Sequence, residues 1–393
     1  MSENIEQLFQ ERMARLNTTI ALGEPDRVPI CFGSETWIAS YSGITIQEMV
    51  YDYQKLIGAA EKVIQDFAWD AHWPPLGIWP APVFNAVGQT QYLMAGSDLD
   101  PSSTYQWPDR SPMSAEDYPK FIADPMRFIF DEMMPKRSLE LAKPYPRNTV
   151  ALAKGGIAFG MYLTQLGAAF GRWVEQYGVA PLLGGISDPA MDFLSDHYRG
   201  FQGIMMDIKR HPDEVVAACE AMYPLTLRMA MASFGGPPAP FPLVFLPLHV
   251  PTYLRPVDFE KFYWPTFSRL INDLASHGYK CLLFLEGDWE PHFPFLAQLP
   301  KGHVVGLMER KLIEAKKAIG DTICLMGGLD VDLLGYGTPE ECVAETKRVI
   351  EACAPDGGFI LSGGKALLSP NDAKPENLMA ITKFVKESGG YHA

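Results

Sequence analysis

The chain has 393 residues, of which 47% are hydrophobic and 20% charged, a balance that can bury a large core and excludes the disordered and collagen-like classes. Thirty-three Lys and Arg against 47 Asp and Glu give a formal net charge of −14 with no basic stripe, which excludes nucleic acid as an expected partner. Six cysteines lie far apart without a CxxC pair and fit a reducing compartment. The charged, amphipathic start is no signal peptide, and no apolar stretch reaches the ~18 residues of a membrane span. A cytoplasmic enzyme with no membrane partner is expected.

In chain order, a first helix over residues 1–16 is followed by a turn and a short apolar strand, Val28–Phe32. Thr45 is a plausible N-cap for a helix running to Phe67. The segment Trp69–Tyr92 is aromatic and broken by Pro74, Pro75, Pro80 and Pro82, which predicts loop and an edge hairpin. Helical patterns cover Ser114–Arg137 and Leu166–Tyr177, and Asp188–Phe234 reads as two helices divided near His211.

From residue 240 the pattern becomes regular. Apolar runs at Leu243–Leu248, Cys281–Leu285, His303–Met308, Ile323–Met326 and Phe359–Leu361 alternate with helices over Val257–Ser276, Pro294–Leu299, Lys311–Ile319, Pro339–Cys353 and Lys374–Glu387. Short apolar runs between helices imply parallel strands buried on both faces. A doubly wound sheet would carry a glycine-rich phosphate loop after its first strand. Neither GxGxxG nor GxxxxGK[ST] is present. The expected fold is an α/β (β/α)8 TIM barrel over residues 1–393, with residues 1–26 as a helical extension.

Chemistry in such a barrel gathers at the C-terminal ends of the strands. The polar residues closing the apolar runs are His249, Glu286, Glu309, Asp330 and Lys365, spaced at about one per ~30-residue barrel unit. One imidazole and three carboxylates at a barrel mouth suit a divalent metal such as zinc, with His249, Glu286, Glu309 and Asp330 as ligands. Glu286, His249 and Lys365 are the catalytic candidates. Each has a plainer use: Glu309 can pair with Arg310, Asp330 can cap a helix, and Lys365 can be a solvated loop residue. His292, six residues after Glu286, could reach the same mouth. Trp37, His72, Trp73 and Trp79 are candidates for an apolar substrate pocket, with core packing as the alternative.

Several segments together resemble the uroporphyrinogen decarboxylase superfamily. These are GEPDRVPI (23–30), LRPVDFEKFYWPTFSRLI (254–271), LFLEGDW (283–289), GGLDVDLLGYGTPEEC (327–342) and GGFILSGGKALLSPNDAKPENL (357–378). The resemblance implies a (β/α)8 barrel and two branches of chemistry. The porphyrinogen decarboxylases carry an Arg-rich segment after the first strand and an Asp after the second. Here those places read CFGSETWIASYSG and Gly77, so porphyrinogen decarboxylation is not expected. The other branch comprises corrinoid-dependent methyltransferases. Its thiol-directed members hold zinc through a His-x-Cys pair and a later Cys, where this chain has Phe284, Glu286 and Lys365. The resemblance therefore implies the ether-cleaving, O-demethylase type. The methyl group would pass from a small aromatic methyl ether to the cobalamin of a separate corrinoid protein. A homodimer is compatible with it. Two other classes stay open: a decarboxylase or lyase for a small aromatic or tetrapyrrole-like acid, and a non-catalytic binding protein of the same fold.

Overall fold

The computed structural model describes residues 2–75, 78–232 and 243–388. Parallel strands run in the order Ala71–His72 (β1), Ala180–Pro181 (β2), Leu183–Ile186 (β3), Leu243–Leu248 (β4), Cys281–Leu285 (β5), Val304–Met308 (β6), Cys324–Leu329 (β7) and Phe359–Gly363 (β8). β1 pairs with β2, and β3 to β8 pair in sequence. The Leu182 backbone joins the two sets, donating to His72 and accepting from Leu243. Ile30 closes the ring: it bridges Leu361 of β8 and accepts from the Asp70 N–H. With β2 and β3 counted as one stave and the Ile30 segment as another, eight staves form a closed parallel barrel.

Two cores follow from the alternation of side chains along the staves. Trp73, Leu183, Leu243, Leu282, Leu307, Met326 and Ile360 belong to the cluster that fills the barrel. Leu246, Leu283, Leu285, Val304, Leu325 and Leu361 pack outward against the helices. Strands buried on both faces must be apolar throughout, which is why the runs from residue 243 onward are legible.

The N-terminal half departs from its expected elements. Thr45 does cap a helix, in a capping box with Glu48, but that helix ends at Tyr51 and Asp52 starts a second over Tyr53–Phe67. Among the described residues of 69–92 no edge hairpin forms. Its start is the inner stave β1, and Pro80 introduces a short helix, Ala81–Val87. The helix expected at Leu166–Tyr177 is the last third of a 31-residue helix, Arg147–Tyr177. Pro212–Ala232 is, among the described residues, one helix long and apolar enough to cross a membrane by length and composition, which corrects the expectation that none would be. It packs against the Tyr118–Ala123 and Trp264–Ser276 helices.

The closure at Ile30 is short in backbone pairing and is reinforced by charge. Asp70, fully buried, takes Arg15 Nη1 at 2.6 Å, both Arg27 Nη groups at 2.8 Å and the Ile30 N–H at 2.9 Å. Arg15 lies on the first helix, Glu3–Ile20, and also binds Asp26. One carboxylate thus ties the extension, the first stave and the second stave together. Removing one partner from a buried ion cluster leaves the others uncompensated, at a cost of about 3–5 kcal/mol. Asp70→Asn is therefore expected to lower the urea midpoint by the equivalent of about 3 kcal/mol, whereas Lys62→Met, which removes an exposed ion pair with Asp66, should change it little. Equal effects would show that Asp70 does not hold the closure.

Candidate active site

The strand ends meet at a mouth whose centre is His249, immediately after β4. Its backbone N–H and that of Val250 donate to Asp192 Oδ1 at 3.0 and 2.8 Å, and the Tyr263 hydroxyl donates to Asp192 Oδ2. Asp192 is fully buried on the short helix Ala190–Leu194, which follows β3. The next turn carries Asp196, whose Oδ2 lies 2.6 Å from His249 Nδ1. On the other side, His249 Nε2 stands 3.9 Å from Glu286 Oε2, at the end of β5. Burial opposes the charged imidazolium, but Asp196, Asp192 and Glu286 outweigh it and raise the His249 pKa to about 10. Burial also raises Asp192, with Asp196 adding to the rise. His249 is held as a cation between carboxylates.

Glu286 is half exposed at the rim, with 49% of its side chain open. Partial burial raises its pKa and the Glu309 carboxylate adds to the rise, against His249 and Lys365, which lower it. Gly287 follows at φ +79°, a left-handed turn that favours glycine. That turn aims its N–H at Glu309 Oε2, 2.7 Å away. Lys365 Nζ lies 4.0 Å from Glu309 Oε1. The structure therefore brings together four of the five strand-end candidates: His249, Glu286, Glu309 and Lys365.

Asp330 does not join them. It is exposed, and its Oδ1 caps the helix Val331–Tyr336 by accepting the Asp332 N–H. Among the described residues no three His, Cys, Asp or Glu side chains form a group able to hold a metal ion. His249 meets Asp196 through Nδ1 and stands 3.9 Å from Glu286 through Nε2. Nε2 and the Glu286 carboxylate together are fewer than the three protein ligands a catalytic zinc uses, and the Asp196–His249–Glu286 chain is arranged for proton transfer. All six cysteines are buried and unpaired.

The four aromatic candidates divide. Trp37 is core: it is buried, stacks on Tyr41 and donates Nε1–H to the Ala373 carbonyl. His72 faces outward from β1 and meets the Trp173 ring edge-on at 4.8 Å, so it is wall packing rather than pocket. Trp73 fills the barrel below the mouth and donates Nε1–H to Glu35 Oε1 at 2.7 Å. Trp79 is half-buried, stacks on Phe84 and meets the Tyr92 ring at a tilt. His292 is buried against Phe259, within 3.0 Å of the Pro251 carbonyl through Nε2. Gly77 lies outside the described residues.

Sequence reasoning missed Asp192 and Asp196, together with Glu35 and the pair Asp188–His197, whose Oδ2–Nε2 distance is 3.3 Å. The signal was present: the apolar stretch at Leu182–Leu183 ends in Ser187 and Asp188, the same run-then-polar pattern as at the other strand ends. The two glycines at 184 and 185 hid it as a strand.

Two outcomes test these assignments. Asp196→Asn should return His249 towards its ordinary 6.5 from about 10, read by NMR titration of labelled histidine; an unchanged titration would remove Asp196 from its role. Because the folded state favours the imidazolium, this contribution to stability is full below pH 6.5 and fades as pH rises towards 10. His72 behaves oppositely. Neither ring nitrogen has a partner, and burial lowers its pKa to about 3. The unfolded chain takes up a proton below pH 6.5 that the folded chain refuses until about 3, so stability falls with pH through that window. His72→Phe should raise stability by about 1 kcal/mol at pH 7.5 and by more at pH 5, measured as melting temperature, with the mouth unaffected.

Comparison with known proteins completes the picture. The family profile for uroporphyrinogen decarboxylase (URO-D) matches residues 166–388, more than half of the chain. Among curated relatives, the uroporphyrinogen decarboxylase of Chlorobium luteolum is 38% identical over 87 residues, 20% of this chain and 24% of that protein. That of Geobacter sulfurreducens is 30% identical over 133 residues, 34% of this chain and 38% of that protein. The matched stretch thus spans well under half the length of these relatives. A solved methyltransferase from Methanosarcina mazei aligns with TM-score 0.66 at 15% identity, over 96% of this chain and 98% of that one, a likeness of fold. With its closed parallel barrel and its strand-end mouth, the chain belongs to the uroporphyrinogen decarboxylase family.

Proposed function

We propose that the chain is a methyltransferase that moves a methyl group from a small aryl methyl ether to the cob(I)alamin of a separate corrinoid protein in the cytoplasm. The observation that carries this reading is the Asp196–His249–Glu286 chain at the open rim of the barrel. A methyl ether resists cleavage because its oxygen leaves as a strongly basic anion. A proton or a fixed positive charge at that oxygen stabilises the departing group. His249 Nε2–H supplies both the charge and the proton, and the Glu286 carboxylate, 3.9 Å from Nε2, orients and balances it. Asp192 holds the His249 backbone, Asp196 fixes the imidazole from behind, and Lys365 sets a second cation beside Glu309.

Cob(I)alamin supplies the nucleophile that the chain lacks, since all six of its thiols are buried. The acid groups stand on an open rim, His249 being 38% and Glu286 49% exposed, which suits a broad, flat acceptor docking over them.

The competing reading is decarboxylation, supported by the names of the relatives. Against it stands Glu35 at the end of the first stave, where the porphyrinogen decarboxylases carry arginines. It is 8% exposed, and burial raises its pKa to about 7. An acidic group there is a poor host for a substrate bearing many carboxylates.

Under anaerobic conditions the protein with reduced corrinoid protein, or with concentrated free cob(I)alamin, should form methylcobalamin from a methoxylated aromatic, seen in the visible spectrum. Glu286→Gln and His249→Gln should each slow it by about 10²-fold or more, and Cys281→Ser should leave it nearly intact. Carbon dioxide released from an aromatic acid without any corrinoid, and no methylcobalamin from a panel of methoxylated aromatics, would overturn the reading in favour of decarboxylation.

A further inference from the structure

Beside the mouth lies a second feature that the chemistry above does not use. A cleft of about 260 Å³ is lined by Arg110, Lys136, Arg137, Gln91, Asp196 and His197, among others. It adjoins an apolar chamber of about 220 Å³ that shares Gln91 and Arg137 and is walled by Phe84, Tyr92, Met133 and Tyr198. Three cations in one cleft are notable in a chain of net charge −14. Lys136 is partly neutralised by Asp117 and Glu132, at 3.7 and 3.9 Å. Among the described residues no carboxylate forms an ion pair with Arg110 or Arg137. Asp196, the acidic residue of the lining, is committed to His249 at 2.6 Å.

Arg137 is the informative member. It is half-buried, its Nη2 lies 3.4 Å from His197 Nδ1, and its guanidinium stands over the Tyr198 ring at 6.0 Å. Gln91 Nε2 also approaches His197 Nδ1, at 3.0 Å. Both neighbours offer only protons, so that nitrogen accepts and the imidazole proton sits on Nε2, towards Asp188. A sequestered guanidinium with only an accepting ring nitrogen and an aromatic face as neighbours retains most of its donors and all of its charge. A fork of that kind matches a carboxylate in two parallel hydrogen bonds.

The geometry points to a subsite for an aromatic carboxylate, with the ring in the Phe84–Tyr92–Tyr198 chamber and the carboxylate on the Arg137 fork. The subsite shares the Asp196–His197 wall with the mouth, so the bound molecule lies next to His249. Naming this molecule as the methyl donor rests on the methyl-transfer reading; the binding itself does not. Trp107 reports on the cleft, because its ring lies 5.2 Å from that of His197 and 4.7 Å from that of Tyr92.

The test is equilibrium binding without corrinoid, by Trp fluorescence and calorimetry, using 4-methoxybenzoate, its neutral amide 4-methoxybenzamide, and inorganic phosphate. The acid should bind at least tenfold more tightly than the amide and than phosphate. Arg137→Gln should lower affinity for the acid tenfold or more and leave the amide within twofold. Arg110→Gln, an exposed position, should weaken the acid less, and it keeps the charge test available if Arg137→Gln does not fold. Acid and amide bound alike, no binding of the acid, or phosphate bound as tightly as the acid would each overturn the subsite. If the acid binds as expected but methylcobalamin never forms, the methyl-transfer reading falls and the subsite stands. If methylcobalamin forms while acid and amide bind alike, the reverse holds.

Discussion

A closed barrel depends on its seam, and here the seam is one carboxylate. Between β8 and β1 the first stave contributes a single bridging residue, Ile30, too little backbone pairing to fix the register of two neighbours. Asp70 compensates by accepting from Arg15, Arg27 and the Ile30 N–H together. Every strand-end residue is placed relative to its neighbours around the ring. The positions of Glu35 and Trp73 at the mouth therefore depend on charge neutralisation at the opposite end of the same two staves. The extension before the barrel is part of this device, since Arg15 comes from the first helix.

The second half of the fold was legible because each of its strands is five or six residues long and, but for Ser362 in β8, without a polar side chain. Pro339–Cys353 even matches its helix end to end, with Thr338 and Glu341 forming the box that starts it. The first half was not, for physical reasons. β1 and β2 are two residues each, too short to show a period, and their burial comes from neighbours distant in sequence. The first two thirds of Arg147–Tyr177 carry Gly155, Gly156 and Gly160, which depress helix propensity and concealed that part.

The mouth was legible to the same extent. His249, Glu286, Glu309 and Lys365 could be found because each ends an apolar run. Asp330 ends one too, yet its backbone turns straight into a helix that claims the carboxylate as a cap. Asp192 and Asp196 were invisible because they sit inside a helical turn, where acidic residues are ordinary. Only the three-dimensional return of that turn over β4 gives them a partner. Their effect is to hold a cation at the barrel mouth of a strongly acidic protein.

The burial of all six cysteines has a bearing on durability. A methyl donor activated enough to surrender its methyl group is an alkylating agent, and a thiolate at the surface would compete for it. Burial raises the pKa of each of these thiols, so they stay protonated and poorly nucleophilic as well as shielded. Under the methyl transfer proposed above, the protein would offer such a donor no exposed thiol as a competing acceptor.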